Sequence, residues 1–516
     1  MLAMNYNYYL LALGCAFSNA YSQKSMGQGS SKRPNIIYVL ADDLGYGDIK
    51  SLNPGSKIPT PNMDKLVEEG VHFTDAHSNS AVCTPTRYGI LTGRYAFRSR
   101  LKNGVLWGYS PSLIEPGRET VATFLKKNGY ETACIGKWHL GLDWAKKDSS
   151  KEIPDVQWNM EVPRGFEDNV DYRQKVAGGP SDHGFDYSLI IPASLDISPY
   201  CYIRNGKVIQ SPISYTEGKD QDRDGRGVFW RPGKMSPGFD FYRVLPTFVD
   251  SACQYINNHS DRANPFFIYL PLPSPHTPWL PAKEYEGKSG AGRYGDYVAM
   301  VDDMIGRVLE TVKNRNLEEN TLIIVTSDNG SDWRPSDIVE TGHHANYIYK
   351  GRKADIYEAG HRIPFIARWK GIIPAGTKSN EVMCTTDLMA TLGGMLNKVL
   401  PGGSAEDSYN LWPAFINKVS YTPIREATIH HSLDGFFSIR KGKWKLTPYL
   451  GSGGFSQPKI IVPKEGETPG TLYDIETDPL EKISLYKLYP DLVEELSQLL
   501  EKYKEQGYSR PVLLKK

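Results

Sequence analysis

The sequence predicts an α/β sandwich with a mostly parallel central sheet, followed by a small α+β domain with an antiparallel sheet. Three observations carry this. Residues 36–41, 132–135, 266–270 and 322–326 are short, continuous apolar runs, the pattern of strands buried on both faces. Helical periodicity lies between them: from Tyr297 to Val312, the side chains of Val298, Val301, Ile305, Val308 and Val312 share one face, and residues 120–128 form a second candidate helix. Near residue 400 the texture changes. After Leu400-Pro401-Gly402-Gly403 come short strand-like pieces at 427–430, 436–440, 443–446 and 471–475, with Lys441-Gly442 placed to turn a hairpin. A helical stripe of Leu492, Val493, Leu496, Leu499, Leu500 and Tyr503 closes the chain.

Taken in order, residues 10–17 are apolar and end in small residues before a polar run, which reads as a secretory signal over residues 1–22. Cys15 offers a lipoprotein anchor as the alternative. Either reading puts the protein in the periplasm or outside the cell. A domain follows over residues 33–400, and a subdomain over 401–516. Residues 143–182 and 211–240 are polar and rich in Gly and Pro, as long surface insertions are. No apolar run reaches the ~20 residues of an integral membrane span.

Composition narrows the class further. A chain of 516 residues can bury a large core, and 40% hydrophobic residues exclude disorder. Sixty basic residues against 59 acidic ones argue against nucleic acid as a partner. The six cysteines, at 15, 83, 134, 201, 253 and 384, are too scattered for a disulfide scaffold. Cys134 sits inside a predicted strand as an apolar filler.

Polar residues gather just past the buried runs, where open α/β sheets bind ligands. The first run ends in Asp42-Asp43 and the last in Ser327-Asp328-Asn329-Gly330. Asp42, Asp43, Asp328 and Asn329 supply only oxygen, which suits a hard cation, Ca²⁺ or Mg²⁺. A cation that merely staples two strands is the bland alternative. Residues 132–135 lead into Gly136-Lys137-Trp138-His139, and residues 266–270 toward Pro275-His276. Cys83-Thr84-Pro85-Thr86-Arg87 places a cysteine at a helix start, where free N–H groups favour an anion. A nucleophile and a packed free cysteine fit this spacing equally. Asp220-Gln221-Asp222-Arg223-Asp224-Gly225 mimics an EF-hand start, but Arg231 stands where the loop needs Glu. His430-His431 reads as a strand pair near the domain junction.

The cysteine segment, continued by Leu91-Thr92-Gly93-Arg94, resembles the signature of type I, formylglycine-dependent sulfatases. The order of the other motifs agrees: Ala41-Asp42-Asp43-Leu44-Gly45, Gly136-Lys137-Trp138-His139-Leu140-Gly141, Pro275-His276-Thr277-Pro278, Ser327-Asp328-Asn329-Gly330, and Lys353 through Arg362. The resemblance runs on through Gly442-Lys443-Trp444-Lys445-Leu446, and is strongest to bacterial carbohydrate sulfatases and arylsulfatase A-like enzymes.

That resemblance implies an alkaline-phosphatase-like sandwich and a chemistry. Cys83 is oxidised to Cα-formylglycine by a maturation enzyme. One hydroxyl of its hydrate attacks the sulfur of a sulfate ester; the second then expels sulfate and restores the aldehyde. Asp42, Asp43, Asp328 and Asn329 hold the cation, Ca²⁺ in this family. Arg87 steadies the formylglycine and the metal carboxylates, while Lys137 and Lys353 stabilise sulfate charge. His139 is the base and His276 protonates the leaving alcohol. Ser194 falls at a sulfate-contacting position. His343 and His344, after the Ser327–Gly330 motif, could reach the substrate's sugar, as could Trp333-Arg334; ordinary loop residues are the alternative. The expected substrate is a sulfated glycan, a terminal galactose or N-acetylgalactosamine 4- or 6-sulfate. Rival readings are a phosphatase or phosphodiesterase of the same superfold and an inactive glycan-binding protein.

Overall fold

Five mutually parallel strands form the centre of a ten-stranded sheet. The computed structural model describes residues 33–156, 163–221, 225–418 and 422–511. The predicted signal segment with Cys15, and Asp222, Arg223 and Asp224 of the acidic loop, lie outside these residues. In chain order the sheet strands are β1 (Asn35–Asp42), β2 (Val71–Phe73), β3 (Glu131–Lys137), β4 (Tyr187–Ile191) and β5 (Ile203–Arg204). They continue with β6 (Lys207–Val208), β7 (Phe266–Pro275), β8 (Thr321–Ser327), β9 (Phe365–Arg368) and β10 (Thr377–Ser379). Their spatial order is β10-β2-β9-β8-β1-β7-β3-β4-β5-β6. Strands β4, β3, β7, β1 and β8 form the parallel centre; β9 and β5 pair antiparallel with its two edges.

Each continuous apolar run is a strand with two buried faces. Every residue of β1 is buried. Ile36, Tyr38 and Leu40 enter one core, with helices α2 (Cys83–Thr92), α3 (Val121–Lys127) and α6 (Leu388–Met395). Ile37, Val39 and Ala41 enter the other, with α1 (Pro61–Glu69), α4 (Val244–His259) and α5 (Gly292–Asn314). Full burial of a large apolar side chain stabilises by about 1.5–3 kcal/mol. These two rows therefore hold β1 firmly enough to carry charged residues at its end. Because the central strands are parallel, their carboxyl ends share one edge. Asp42-Asp43, Lys137, Ser194, His276 and Asp328-Asn329 follow there from five separate strands.

The antiparallel sheet follows its predicted pieces: β11 (Thr428–His431), β12 (Phe437–Lys441), β13 (Trp444–Thr447) and β14 (Thr471–Asp474), paired in sequence order. Helix α7 (Pro490–Glu505) lays Val493, Leu496, Leu500 and Tyr503 on Ile429, Ile439, Leu446 and Leu472. Tyr95 and Phe97, from the segment after α2, join the same core. Residues 401–418, read as the start of the second domain, first pack Ala405, Tyr409, Leu411 and Phe415 into the larger core. The insertion 211–240 contains two antiparallel pairs, Ser214–Thr216 with Gly233–Met235 and Lys219–Gln221 with Val228–Trp230. Among the described residues, no helix is long and apolar enough to cross a membrane.

Candidate active site

A cavity of about 340 Å³ opens over the strand ends, with Asp43, Cys83, His139, Ser194, His276 and Lys353 on its floor. Helix α2 delivers Cys83 as its first residue. Val82 before it is extended, and Gly93 ends the helix in the left-handed region with φ 63°. Strand β3 delivers Lys137 and His139. Gly136 within it is required: a Cβ there would lie 1.9 Å from the carbonyl oxygen of Pro271 on β7.

Cys83 Sγ lies 3.3 Å from His139 Nδ1. His139 Nε2 lies 2.8 Å from the Leu106 carbonyl oxygen, an acceptor, so Nε2 carries the ring proton and Nδ1 is bare. Burial and the neighbouring Lys137 and Arg87 hold this imidazole well below the usual histidine range, so it stays neutral. Burial also pushes the Cys83 thiol up, against the pull of Lys137 and Lys353. A thiolate–imidazolium pair is disfavoured on both sides, and the unmodified cysteine is a poor nucleophile.

On and below the floor lie three carboxylates and three cations. Arg87, fully buried, donates from Nε at 3.1 Å and Nη2 at 2.8 Å to Asp328 Oδ2, and from Nη1 to the Lys137 carbonyl at 3.0 Å. Lys137 Nζ donates to Asp42 Oδ2 at 2.6 Å and to Ser194 Oγ at 2.9 Å. Lys353 Nζ donates to Asp43 Oδ2 at 2.8 Å. Against its burial, Asp43 holds the Lys353 ammonium above its ordinary value. Asn329 Nδ2 donates to Asp43 Oδ1 at 2.6 Å, leaving Asn329 Oδ1 without a partner. Asp42 Oδ1 is likewise buried and unpartnered. Burial and the adjacent Asp42 push the Asp328 carboxyl up to about 7. Crowded carboxylates with unmet acceptor oxygens are what a hard dication relieves, so this donor set fits one.

His276 lies beside these groups. Its Nδ1 is 2.6 Å from the Thr277 carbonyl oxygen and 3.4 Å from Ser194 Oγ, and its Nε2 is 3.8 Å from Asp43 Oδ2. The predicted residues Cys83, Arg87, Lys137, His139, Ser194, His276, Lys353, Asp42, Asp43, Asp328 and Asn329 are thus one cluster.

Three predicted residues do not join it, one of them Trp333, which is buried off the cavity and donates from Nε1 to the His343 carbonyl at 2.9 Å. His343 is fully buried and does not line the cavity; its Nε2 donates to Asp48 Oδ1 at 2.8 Å and its Nδ1 accepts from Lys57 N–H at 3.3 Å. Both nitrogens are used, so none is left for a sugar. His344 is exposed and also lies off the cavity.

Sequence reasoning missed part of the cavity wall. Arg226, Arg231, Arg352 and Lys459 line it beside Arg334. Arg231 pairs with Asp196 and lies 5.2 Å from the Trp107 ring; Arg226 is bonded to Asp337 at 2.7 Å and lies 5.3 Å from the Trp279 ring. Arg231 thus occupies the position where an EF-hand would carry Glu. With Lys353 the lining holds six cations against Asp43, Asp196 and Asp332, a balance that favours an anionic ligand. The signal was present as arginines inside a polar insertion, but their acidic partners are distant in sequence.

Residues 34–398 match the model of the Sulfatase family. The N-acetylgalactosamine-6-O-sulfatase of Bacteroides thetaiotaomicron is 33% identical over 531 residues, spanning 96% of this chain and 97% of that protein. Arylsulfatase A of Bos taurus is 28% identical, spanning 92% of this chain and 88% of its own. A solved structure from work on the metabolism of multiple glycosaminoglycans by Bacteroides thetaiotaomicron is 32% identical. It superposes with a TM-score of 0.77 over 92% of this chain and 100% of that one. The chain belongs to the sulfatase family and is a sulfuric ester hydrolase.

Proposed function

We propose that the protein desulfates a terminal galactose or N-acetylgalactosamine of a glycan outside the cytoplasm, with Cys83 converted to formylglycine by a maturation enzyme. The name of its 33%-identical relative favours N-acetylgalactosamine 6-sulfate over a 4-sulfate. The observation that carries the reading is the bare Nδ1 of a neutral His139, 3.3 Å from the side chain at position 83, on the floor of a cationic cavity.

The hydrated aldehyde supplies what the thiol lacks, a second hydroxyl whose proton can leave when sulfate departs. His139 Nδ1 is placed to accept that proton, while Leu106 fixes the tautomer. His276 Nδ1 donates to the Thr277 carbonyl, so a proton for the departing sugar oxygen comes from Nε2 of the doubly protonated ring. Lys353 and Ser194 line the cavity where the sulfate oxygens would sit, and Lys137, bonded to Ser194 and Asp42, adds its charge from just behind them. Asp42, Asp43, Asp328 and Asn329 would hold Ca²⁺, and Arg87 fixes Asp328 among them. When bound, the cation polarises the sulfate and acidifies the hydrate.

Two measurements test this together. A tryptic mass spectrum of the Cys83 peptide from native-host protein is expected to show the aldehyde. A panel of defined sulfated mono- and disaccharides, with matched phosphate esters, is expected to give turnover on galacto-configured sulfates. A fully retained thiol sinks the formylglycine assignment. Turnover of glucosamine sulfates alone sinks the sugar, faster phosphate hydrolysis favours the phosphatase rival, and binding without turnover favours the glycan-binding one.

A further inference from the structure

The four oxygen donors belong to two loops, 42–48 after β1 and 327–331 after β8. One segment, 343–347, grips both. On the first loop, His343 Nε2 donates to Asp48 Oδ1 at 2.8 Å. Asp48 Oδ2 in turn accepts from Gly45 N–H at 2.7 Å and from the Tyr294 hydroxyl at 2.5 Å. Gly47 N–H donates to the Ala345 carbonyl at 2.6 Å, and a Cβ on Gly47 would lie 2.1 Å from the His344 carbonyl oxygen. The loop backbone is therefore flush against the segment. On the second loop, Asn346 bonds Ser331 twice: Oδ1 accepts Ser331 N–H and Nδ2 donates to the Ser331 carbonyl, both at 2.9 Å. Ser331 Oγ also donates to the Tyr294 hydroxyl at 2.9 Å, which joins the two halves.

His343, Asp48 and Asn346 are buried, and none lines the cavity. Their connection to the donor oxygens runs through the loops. One donor needs such support: Asp43 has φ 67°, a left-handed conformation that costs a non-glycine residue on the order of 1 kcal/mol and persists only where surroundings enforce it.

We infer that segment 343–347, through His343 and Asn346, is a positioning brace that sets the spacing of the two donor loops and so the affinity for calcium. This rests on the reading of Asp42, Asp43, Asp328 and Asn329 as cation ligands. The test is calorimetric titration of the EDTA-stripped full chain with CaCl2, alongside melting temperatures in EDTA and in saturating CaCl2. His343→Phe and Asn346→Leu keep the volume and remove the bonds. Each is expected to weaken calcium binding several-fold, somewhat less than the loss of a group bonded directly to a ligand, because both act through the loops. His343→Gln, which keeps an N–H for Asp48, is expected to recover part of it. The brace also predicts a smaller calcium-induced rise in melting temperature, since that increment follows the affinity. Variants that bind calcium like the wild type overturn the brace. Variants that lose equal stability in EDTA and in calcium overturn it too, because they mark a merely structural role. If the wild type binds no calcium, the ligand assignment itself fails.

Discussion

Two buried clusters of charge in this molecule look alike and differ in kind. At the strand ends, Asp42, Asp43 and Asp328 face Arg87, Lys137 and Lys353. Where β11–β14 meet the larger sheet, Asp75, Glu358 and Glu481 face Arg362, Arg440 and Lys445, around His77, His361 and His430. Most of the second cluster closes on itself, although His430 Nε2 and Arg440 Nη1 have no hydrogen-bond partner. Lys445 Nζ donates to His361 Nε2 at 3.1 Å, which makes Nδ1 the protonated nitrogen. His361 Nδ1 then donates to His77 Nδ1 at 2.9 Å, and His77 Nε2 to Asp75 Oδ1 at 2.7 Å. Ring nitrogens of His77, His361 and His430 are near enough to share a metal. Yet His361 and His430 stack face to face at 3.9 Å, and the nitrogens of His361 are spent on a lysine and a histidine. The first cluster instead keeps two buried oxygens unpartnered, beneath a cavity. Burial, charge and unpartnered atoms do not separate a reactive site from a structural one; oxygen acceptors gathered beneath an open cavity do.

The sharpest break of that comparison is a pair of substitutions. Cys83→Ala is expected to lower sulfate-ester turnover on the order of 10⁴-fold or more, as loss of a nucleophile does. Its melting temperature should barely move, since one small buried atom is removed. Lys445→Met is expected to do the reverse. It leaves Glu358 and Glu481 buried without their shared cation, which costs about 3–5 kcal/mol. Turnover per folded molecule should stay within a few-fold of the wild type. Denaturant midpoints and kcat on the same preparations read both. A destabilised Cys83→Ala, or a stable but inactive Lys445→Met, would exchange the roles of the two clusters.

The same contrast explains what could be read in advance. The strand ends were legible because parallel strands buried on both faces leave uninterrupted apolar runs, and the polar residue after each run lies on the shared edge. Asp42, Lys137, His276 and Asp328 follow from that rule alone. Cys83 needed more than its helix start, which fits a packed cysteine equally; the resemblance of the surrounding motif decided it. Half of the brace was illegible because it bridges distant sequence: His343 stands near Asn329, which suggests substrate contact, while its partner Asp48 is 295 residues away; Asn346 and Ser331 are only 15 apart, but nothing in sequence pairs them. The second cluster hid for the same reason. His430 was read as a strand residue and does lie on β11, but nothing around it in sequence names His361 as its neighbour. Arg226 and Arg231 were lost in an insertion whose short antiparallel pairs carry them back to the cavity.

The last expected effect concerns acid. Burial, with help from Arg362, holds His77 down to about 4, and burial holds His361 and His430 well below the ordinary histidine value. An unfolded histidine titrates near 6.5. Through these three histidines the unfolded chain binds more protons between about pH 6.5 and 4, so their contribution to stability falls as pH falls, while Asp302, Asp328 and Asp387, pushed up by burial to about 6, 7 and 6, contribute with the opposite sign. Each such histidine contributes a slope of up to about 1.4 kcal/mol per pH unit. His139 adds a slope of the same sign from the other cluster, so the urea midpoint is followed in His139→Gln as well as in the wild type. Most of the decline should survive in the variant, because the relay from Lys445 to Asp75 has no room for another proton. NMR titration that finds the His77, His361 and His430 rings gaining protons in the folded protein between pH 6.5 and 5 would make the second cluster as open as the first.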